Sequence, residues 1–371
     1  MQDPIVQDDP VHDPRRSGAS GHADSVDGAP GWEAINAALA SVHPGQAARH
    51  YGSSRPWTLG GQDPLDGISV YEVALPRPHW HYVTYGFSEL FAKESDDADV
   101  SGFGFELTFR LARHAGAGAD AVPPTWPLNL LQNLARYVFD SGNAFAQGHH
   151  LNANGPIAVD HPTRLRHLAF MQDPQLPPRM TPHGRLVFLQ VIGLTDAEMD
   201  AVTRWNTEAV LHALAPAMPW WITDLQRGDA LDDPRLAAEV AAGSMREGSS
   251  TASLYAQSLE WSQAPEGGIT LSLGAGVADS LLHLLPARLP FGLALTLVGP
   301  RGEWTLQPGA EDTVWREGDL GGCTWRPETV ERVLQMLHAH SAGELIAGRL
   351  WIEIRPVSLA GDAASGATPR R

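Results

Sequence analysis

The sequence contains few of the residues on which several common functions depend. Among 371 residues there is one cysteine, Cys323, and one lysine, Lys93. A single cysteine cannot form an internal disulfide or the cysteine cage of a structural zinc site. The formal net charge is −17 and no dense basic run occurs, whereas nucleic-acid-binding proteins need a basic face to neutralise phosphates. These features exclude a nucleic-acid partner and favour a reducing compartment.

The first residues do not have the pattern of a signal peptide, and the sequence contains no long uninterrupted apolar run. The amino-terminal stretch MQDPIVQDDPVHDP carries acids and prolines, where a signal peptide has a basic start and an apolar run. The run LLHLLPARLPFGLALTLV is interrupted by Pro286, Arg288 and Pro290, so it does not suit a membrane span. We therefore expect a cytoplasmic protein with no membrane partner.

Motifs of common enzymes are missing as well. The sequence contains no G-x-S-x-G, H-E-x-x-H or G-x-x-x-x-G-K motif. The stretch SGFGFELTFRL (101–111) has two glycines, a carboxylate at Glu106 and a guanidinium at Arg110, but it lacks the third glycine of a dinucleotide loop. Its strict alternation of apolar and other residues predicts a strand with one buried face.

Histidines and the cysteine are the remaining candidates for chemistry. His79 and His81 lie on one face of a predicted strand, and His149 and His150 offer further nitrogen ligands, but their spacing does not force them to converge as zinc requires. We expect satisfied or partly exposed histidines, and no metal or other cofactor. Cys323 is expected to pack near the start of a helix. An enzyme remains an alternative, and the residues to check would be His79, His81, Glu106 and His150.

Length and composition predict two domains between polar tails. The expected boundaries are a disordered tail over 1–29, domains over 30–243 and 250–359, and a second tail over 360–371, with the domain boundary in the small polar stretch 241–251. Helices are predicted at WEAINAALASVH, at PPTWPLNLLQNLARYVFDSG with Thr125 as its cap, and at 327–340. A capping box at Thr195 and Glu198 predicts a helix through about Leu214, and 253–261 is a predicted strand.

Several of these segments form a family pattern. PGWEAINAAL, GGQDPLDGISVYE, HWHYVTYGFSELF, SGFGFELTFRL, PPTWPLNLLQNLARYVFDSGNAF, QDPQ, FLQVIGLT and PWWITDLQRGD occur in this order. Together they closely resemble the amino-terminal domain of the Suppressor of fused family, over about 30–243. EGSSTASLYAQSLEW resembles the segment after that family's hinge, and the likeness to its second domain is weaker, to about 359. The resemblance implies an α/β (mixed α+β) protein of two domains, each a mixed β-sheet packed with helices, joined by a hinge and without enzymatic activity.

The resemblance also implies a binding site. Animal members of the family close both domains around a short extended peptide of a Gli transcription factor, which adds a strand between them by β-augmentation. Carried over to this sequence, Tyr137 matches an aromatic residue at that cleft. The stretch after Gly148 matches the strand on the first-domain side, and 253–258 matches the strand on the second-domain side. The expected partner-binding residues are Tyr137, Phe145, His149, His150, Leu151, Tyr255 and Gln257.

One position departs from the animal pattern. Animal members have an aspartate after the glycine, which pairs with a histidine of the peptide, whereas this sequence has His149. A histidine cannot make that ion pair, so we expect the Gli peptide to be a poor ligand.

Bacterial relatives are associated with polymorphic toxin systems, in which they are proposed to be immunity proteins. The resulting interpretation is a monomeric, non-catalytic bacterial immunity protein that clamps a cognate toxin or peptide between its domains. An acidic surface would speed the capture of a basic toxin. The alternatives are a regulatory or scaffold protein that binds an endogenous protein, or a metal-dependent enzyme.

Overall fold

The computed structural model describes residues 28–53, 57, 60–113, 121–256, 258–264, 267–346 and 349–355, without the side chain of Glu344. The predicted tails, 1–29 and 360–371, lie outside these residues except for 28 and 29. The described chain forms two compact units. We call residues 28–202 with 206–242 the amino-terminal unit, and residues 203–205 with those from 243 onwards the carboxy-terminal unit.

Runs of two to four consecutive strands are separated by helices along the described chain. The helices are α1 (Pro30–Val42), α2 (Trp126–Ser141), α3 (Asp196–Arg204), α4 (Thr207–Leu214), α5 (Pro234–Glu247), α6 (Ala275–Arg288) and α7 (Pro327–His338). The first eight strands are β1 (Arg49–Gly52), β2 (Gly67–Val73), β3 (His79–Tyr85), β4 (Val100–Ala112), β5 (His150–Asn152), β6 (His167–Gln172), β7 (Arg179–Thr181) and β8 (Gly184–Leu194). The others are β9 (Ser253–Tyr255), β10 (Glu260–Gln263), β11 (Ile269–Gly274), β12 (Leu295–Gly299), β13 (Gly302–Pro308), β14 (Thr313–Glu317), β15 (Leu320–Trp325), β16 (Gly343–Ile346) and β17 (Leu350–Arg355).

The amino-terminal unit is built on one mixed sheet. Its strand order is β1-β2-β3-β4-β8-β6-β5, with β7 paired to β8, and β4 and β8 run parallel. The apolar stripe of α2, which includes Leu131 and Val138, packs with Phe105 and Phe109 in the main core. Helix α1 contributes Ile35 and other residues to a second core with Phe188 of β8. Helices therefore cover both faces of the sheet.

This arrangement corrects the prediction of one buried face for β4. The strand itself is confirmed, but Glu106, Thr108 and Arg110, on the face opposite the phenylalanines, are also 0% exposed. The alternating pattern shows which residues share a face, and only the tertiary packing decides whether the polar face is covered. Gly102, at φ +56°, allows a close backbone approach, since a Cβ there would lie 2.7 Å from the Phe87 carbonyl oxygen.

The carboxy-terminal unit contains two mixed sheets around one core. The sheet orders are β10-β11-β17-β16 and β14-β15-β13-β12-β9. Leu281 and Leu285 of α6 and Val333 of α7 pack with strand residues of both sheets. Cys323 is fully buried on β15, shortly before α7. Burial raises the pKa of its thiol, which opposes a nucleophilic role.

Three sequence-based boundaries need correction. The predicted helix to Leu214 is two helices: the capping box forms between Thr195 and Glu198, but α3 ends at Arg204 and Asn206 caps α4. The predicted strand 253–261 is divided into β9 and β10, which belong to different sheets. The supposedly flexible stretch 241–251 is helical through Glu247 because α5 extends into it.

Two smaller findings complete the description. Thr125 stands at the cap position of α2, but its side chain makes no capping hydrogen bond, contrary to expectation. Among the described residues, no helix is long and apolar enough to cross a membrane.

Candidate functional site

Strand β5 forms one edge of the amino-terminal sheet. It pairs with β6 on one side, and no described strand pairs with its other side. Phe170 N–H donates to the His149 carbonyl, and Ala153 N–H donates to the Arg166 carbonyl, each over a pair directly opposite in register. Because hydrogen-bonded and non-hydrogen-bonded pairs alternate along an antiparallel ladder, the N–H and C=O groups of His150 and Asn152 point away from β6. These groups can accept a further strand.

An aromatic stack adjoins this edge. The Tyr137 ring of α2 stacks on Phe145 with centroids 5.6 Å apart, and Phe145 stacks on Phe170 of β6 at 4.2 Å. Phe145 and Phe170 are buried, whereas Tyr137 is 48% exposed. The stack thus begins in the core and ends in solvent with one large aromatic ring.

The two neighbouring histidines have different environments. His149 is exposed, and its Nδ1 accepts a hydrogen bond of 3.3 Å from Ala146 N–H. His150 is half-buried, with Nδ1 3.1 Å from Thr207 Oγ1. Burial, with the nearby His149 as a second cause, lowers the pKa of His150 to about 4. His149 is therefore the one that faces solvent, while His150 and the half-buried Leu151 tie β5 to its own unit.

Strand β9 forms a comparable edge in the carboxy-terminal unit. It pairs in parallel with β12, and no described strand lies on its other side. Thr296 N–H donates to the Ala252 carbonyl, and Ala256 N–H donates to the Val298 carbonyl. Since successive residues of a strand direct their backbone groups to opposite sides, those of Ser253 and Tyr255 point to the open side. The remaining predicted site residue, Gln257, lies outside the described residues.

The side chains of β9 alternate between core and solvent. Leu254 packs against the core of its unit, whereas the Tyr255 side chain is 72% exposed. Each unit thus presents a short open edge with an exposed tyrosine on or near it. A short edge with free backbone donors and acceptors is chemically suited to pair with an extended peptide.

His79 and His81 occupy a buried polar cluster instead of an open site. Both histidines and Arg110 are 0% exposed, and Asp173, the partner of Arg110, is 1% exposed. Arg110 donates to both carboxylate oxygens of Asp173, at 2.9 and 3.0 Å, and to Nε2 of His79 at 3.1 Å. His81 Nε2 lies 3.3 Å from Asp173 Oδ2 without forming a regular hydrogen bond, and its Nδ1 lies 3.0 Å from His43 Nε2.

Burial, with the Arg110 charge as a further cause, keeps these imidazoles neutral. It lowers the pKa of His43 to about 4, of His79 to about 4 and of His81 to about 3. Burial alone would raise the pKa of Asp173, but Arg110 and the other donors hold it well below its usual range. The cluster is a buried Arg110–Asp173 ion pair surrounded by neutral histidines. Such a closed arrangement has a structural role, because a substrate cannot reach it.

Glu106 is separate from that cluster. Its carboxylate accepts hydrogen bonds from Thr84 Oγ1 and Ser88 Oγ, both at 2.6 Å, and from the N–H groups of Gly86 and Ser88. Burial raises its pKa to about 7 despite these donors. The residues considered for an enzyme therefore do not form one site: His79 and His81 share the buried cluster, whereas Glu106 has its own partners. His150 is the first residue of β5. Within the described ranges, no group of three or more His, Cys, Asp or Glu side chains could hold a metal ion.

Sequence reasoning missed Asp173 and His43, which complete the buried cluster. Asp173 lies in QDPQ, 63 residues from Arg110, and His43 follows α1. No local spacing connects them, because their contact depends on how distant segments cross the sheet. It also missed that the open backbone groups belong to Asn152 and Ser253, which only the hydrogen-bond register reveals.

Sequence comparison with known proteins finds similarity to Suppressor of fused proteins. The family model described as Suppressor of fused protein matches residues 61–228. The chain is 40% identical over 215 residues to the Suppressor of fused homolog of Homo sapiens and 39% identical over 216 residues to that of Mus musculus. Each match covers 54% of this chain and 44% of the relative, so it spans less than half of the relatives' length.

Solved structures give the same family. The crystal structure of Drosophila Suppressor of Fused is similar with a TM-score of 0.73 and 25% identity, over 88% of this chain and 97% of that chain. A crystal structure of a Sufu–Fu complex is similar with a TM-score of 0.53 and 33% identity, over 57% of this chain and 97% of that one.

Proposed function

Because this chain belongs to the Suppressor of fused family, we propose that it is a non-catalytic protein that binds an extended segment of a protein partner. The observation that carries the proposal is the open edge of β5 beside the exposed ring of Tyr137. The outward N–H and C=O groups of His150 and Asn152 would pair with the partner's backbone. Tyr137, supported from behind by Phe145, would pack on an apolar side chain of the partner.

The edge of β9 supplies a second contact in this proposal. Ser253 and Tyr255 direct their backbone groups to its open side, and the same partner would engage both edges. Two linked contacts on one partner bind more tightly than either alone, because the second contact becomes intramolecular. The solved Sufu–Fu complex supports a protein as the ligand.

We further propose that the partner is a toxin and that this protein is a bacterial, cytoplasmic immunity protein. The net charge of −17 supports a basic partner, because complementary charge accelerates encounter. His149 places an imidazole next to β5 at the position where animal relatives have a carboxylate, and this difference would favour a different peptide.

Co-expression with the toxin candidate encoded by the adjacent gene tests the proposal. We expect a stable complex and restored growth with the unaltered chain, and loss of both with the double variant Tyr137→Arg, Tyr255→Arg. Leu75→Arg is the matched control, since Leu75 is 72% exposed and follows β2, which four strands separate from β5 in the sheet order.

The possible outcomes separate the parts of the proposal. No complex and no protection with the unaltered chain would exclude the immunity role. A complex that survives the double variant would exclude the two edges as the binding site. If purification from the native host instead returned an endogenous regulatory protein that the double variant fails to bind, the edges would stand and the protein would be a regulatory binder.

A further inference from the structure

A cavity of about 780 Å³ lies within the amino-terminal unit, apart from β5. Its wall includes Trp57, Phe87, Phe103 and Phe139 together with the carboxylate residue Asp66. We call it the Phe139 cavity. Its volume falls within the range of pockets that enclose small organic ligands, about 300–1,000 Å³, and its mixture of aromatic walls with few polar groups is typical of them.

The aromatic residues of this cavity contact one another around Phe139. The Phe139 ring lies 5.0 Å from Phe103, 6.1 Å from Phe87 and 6.2 Å from Trp57, measured between centroids. Phe87 is buried, whereas Trp57 is 39% exposed. The walls therefore extend from the core to solvent. Such a group of rings offers the negative faces that attract a cation.

Asp66 is a half-buried carboxylate residue of this wall. Its backbone is fixed, since its N–H donates to the Tyr85 carbonyl and its own carbonyl accepts from Ser53 N–H. Its half-buried carboxylate, however, has no hydrogen bond or ion pair with any residue that the structure describes. Burial raises its pKa, with no compensating partner. A nearby cation favours the charged form of a partly desolvated carboxylate, so the Asp66 side chain would gain from a cationic ligand.

The other buried carboxylate of the cavity shows the contrast. Glu89 accepts hydrogen bonds from the N–H groups of Glu94, Ser95 and Gly102, and its Oε2 lies 2.9 Å from Lys93 Nζ. These donors lower the pKa of Glu89 to about 2 although burial opposes them. Its carboxylate is already satisfied, and Glu94 is exposed, so Asp66 is the half-buried carboxylate left to receive a ligand.

We propose that the Phe139 cavity binds a small organic cation with an apolar body. The cationic head would lie between the Asp66 carboxylate and the aromatic rings, and the apolar body would cover the remaining wall. An anion is disfavoured because Asp66, Glu89 and Glu94 all line the cavity. A neutral apolar ligand would leave Asp66 desolvated and unpaired.

Isothermal titration calorimetry with two isosteric probes tests the charge requirement. Choline and 3,3-dimethylbutan-1-ol have the same shape, but only choline carries a positive charge. We expect choline to bind with a Kd of about 1 mM or tighter and the alcohol at least about tenfold more weakly. Equal binding of the two, or no binding of choline up to about 10 mM, would overturn the proposal.

Variants assign the binding to this cavity. Asp66→Asn is expected to weaken choline binding at least about tenfold, and Trp57→Leu to weaken it in the same direction. Asp160→Asn is the control because it removes the same charge from an exposed position outside the cavity. Unchanged binding in Asp66→Asn would refute the assignment, and Trp57→Leu gives an independent answer if the melting temperature of Asp66→Asn falls. Tyr137→Arg should leave choline binding unchanged, so failure here is distinguishable from failure of partner binding.

Discussion

Arg110 and Asp173 form an ion pair whose side chains are 0% exposed. Removing both charges from water costs several kcal/mol per ion. The bidentate contact and the hydrogen bonds with the surrounding donors and acceptors offset this desolvation cost. Thr108 Oγ1 donates to Asp173 at 2.8 Å, and Gln190 Oε1 accepts from Arg110 Nε at 3.2 Å. The pair is satisfied only as a complete set, so loss of one partner leaves a buried charge alone.

Arg110→Met should therefore be strongly destabilising. We expect the free energy of unfolding of the protein to fall by about 3–5 kcal/mol, because Asp173 would remain buried without its cation. The control is Arg77→Met, which removes an exposed pair with Asp224 at 2.8 Å and should cost less than about 1 kcal/mol. Urea titration of both variants measures the difference, and equal small losses would show that the cluster relaxes or hydrates.

The stack on Phe145 supports a second prediction at this scale. Tyr137→Arg should leave the melting temperature nearly unchanged, within about 0.5 kcal/mol in stability, because the Tyr137 side chain is 48% exposed. Phe145→Arg should unfold the amino-terminal unit, since Phe145 is 8% exposed and contacts Phe170. If Tyr137→Arg lowers the melting temperature as much as Phe145→Arg does, Tyr137 is a core residue and not a partner anchor.

Local patterns predicted these residues only in part. Alternation in 101–111 correctly grouped Glu106 with Arg110 on one face of β4. It could not show that α1 covers that face, because Ile35 approaches from a segment about 70 residues earlier in the chain. The partners of Arg110 likewise come from three other segments, so no window of the sequence contains the cluster.

Strands β5 and β9 are each three residues long, and their edges are suited to pairing for the same reason. A short edge strand limits uncontrolled pairing with other chains while it leaves a few directed donors and acceptors. In β5 these belong to His150 and Asn152, and in β9 to Ser253 and Tyr255. Leu151 and Leu254 direct their own backbone groups to the parent sheets.

Residue-resolved amide exchange tests this alternation. In the free protein the amides of Leu151 and Leu254 should exchange slowly and those of Asn152 and Tyr255 quickly, because only the former donate within their sheets. Binding of the partner should slow Asn152 and Tyr255 at least about tenfold. If the partner binds and the amides of Asn152 and Tyr255 both still exchange quickly, strand addition would be contradicted.

Element types were more predictable than element ends. Periodicity correctly indicated α1, α2 and α7, since each has an apolar stripe. The break between α3 and α4 was missed although Asn206, the cap whose Oδ1 accepts from Ala209 N–H at 2.6 Å, is a recognisable signal. No strong sequence signal marks the division of 253–261 into two strands, because β9 and β10 belong to different sheets but have similar composition.

The whole chain is acidic, but its response to pH should be set by buried histidines. In the amino-terminal unit the pKa values of His43, His79 and His150 are lowered to about 4, and that of His81 to about 3. Unfolded histidines take up protons near pH 6.5. Between about pH 6.5 and 4 the unfolded state therefore binds more protons than the folded state, and stability falls as the pH is lowered through this window.

Glu106 acts in the opposite direction. Its pKa of about 7 lies above the ordinary value of 4.5, so the folded state holds the extra proton between these values, and this contribution to stability is lost as the pH rises from about 4.5 to 7. Burial also lowers the pKa of His50 and raises that of Asp66. Five histidines against two carboxyls leave a net uptake of protons by the unfolded state. Asp173 stays ionised throughout this window, because Arg110 holds its pKa well below the usual range.

We expect the free energy of unfolding to decrease by at least about 1.4 kcal/mol for each unit that the pH falls from 6.5 to 5, which corresponds to one net proton. Urea titrations at several pH values measure this slope. Glu106→Gln removes an opposing carboxyl and should make the slope steeper, whatever its effect on stability at pH 7. A stability that stays level or rises toward pH 5 would mean that the buried histidines are already protonated in the folded protein, with Asp173 as their counter-ion.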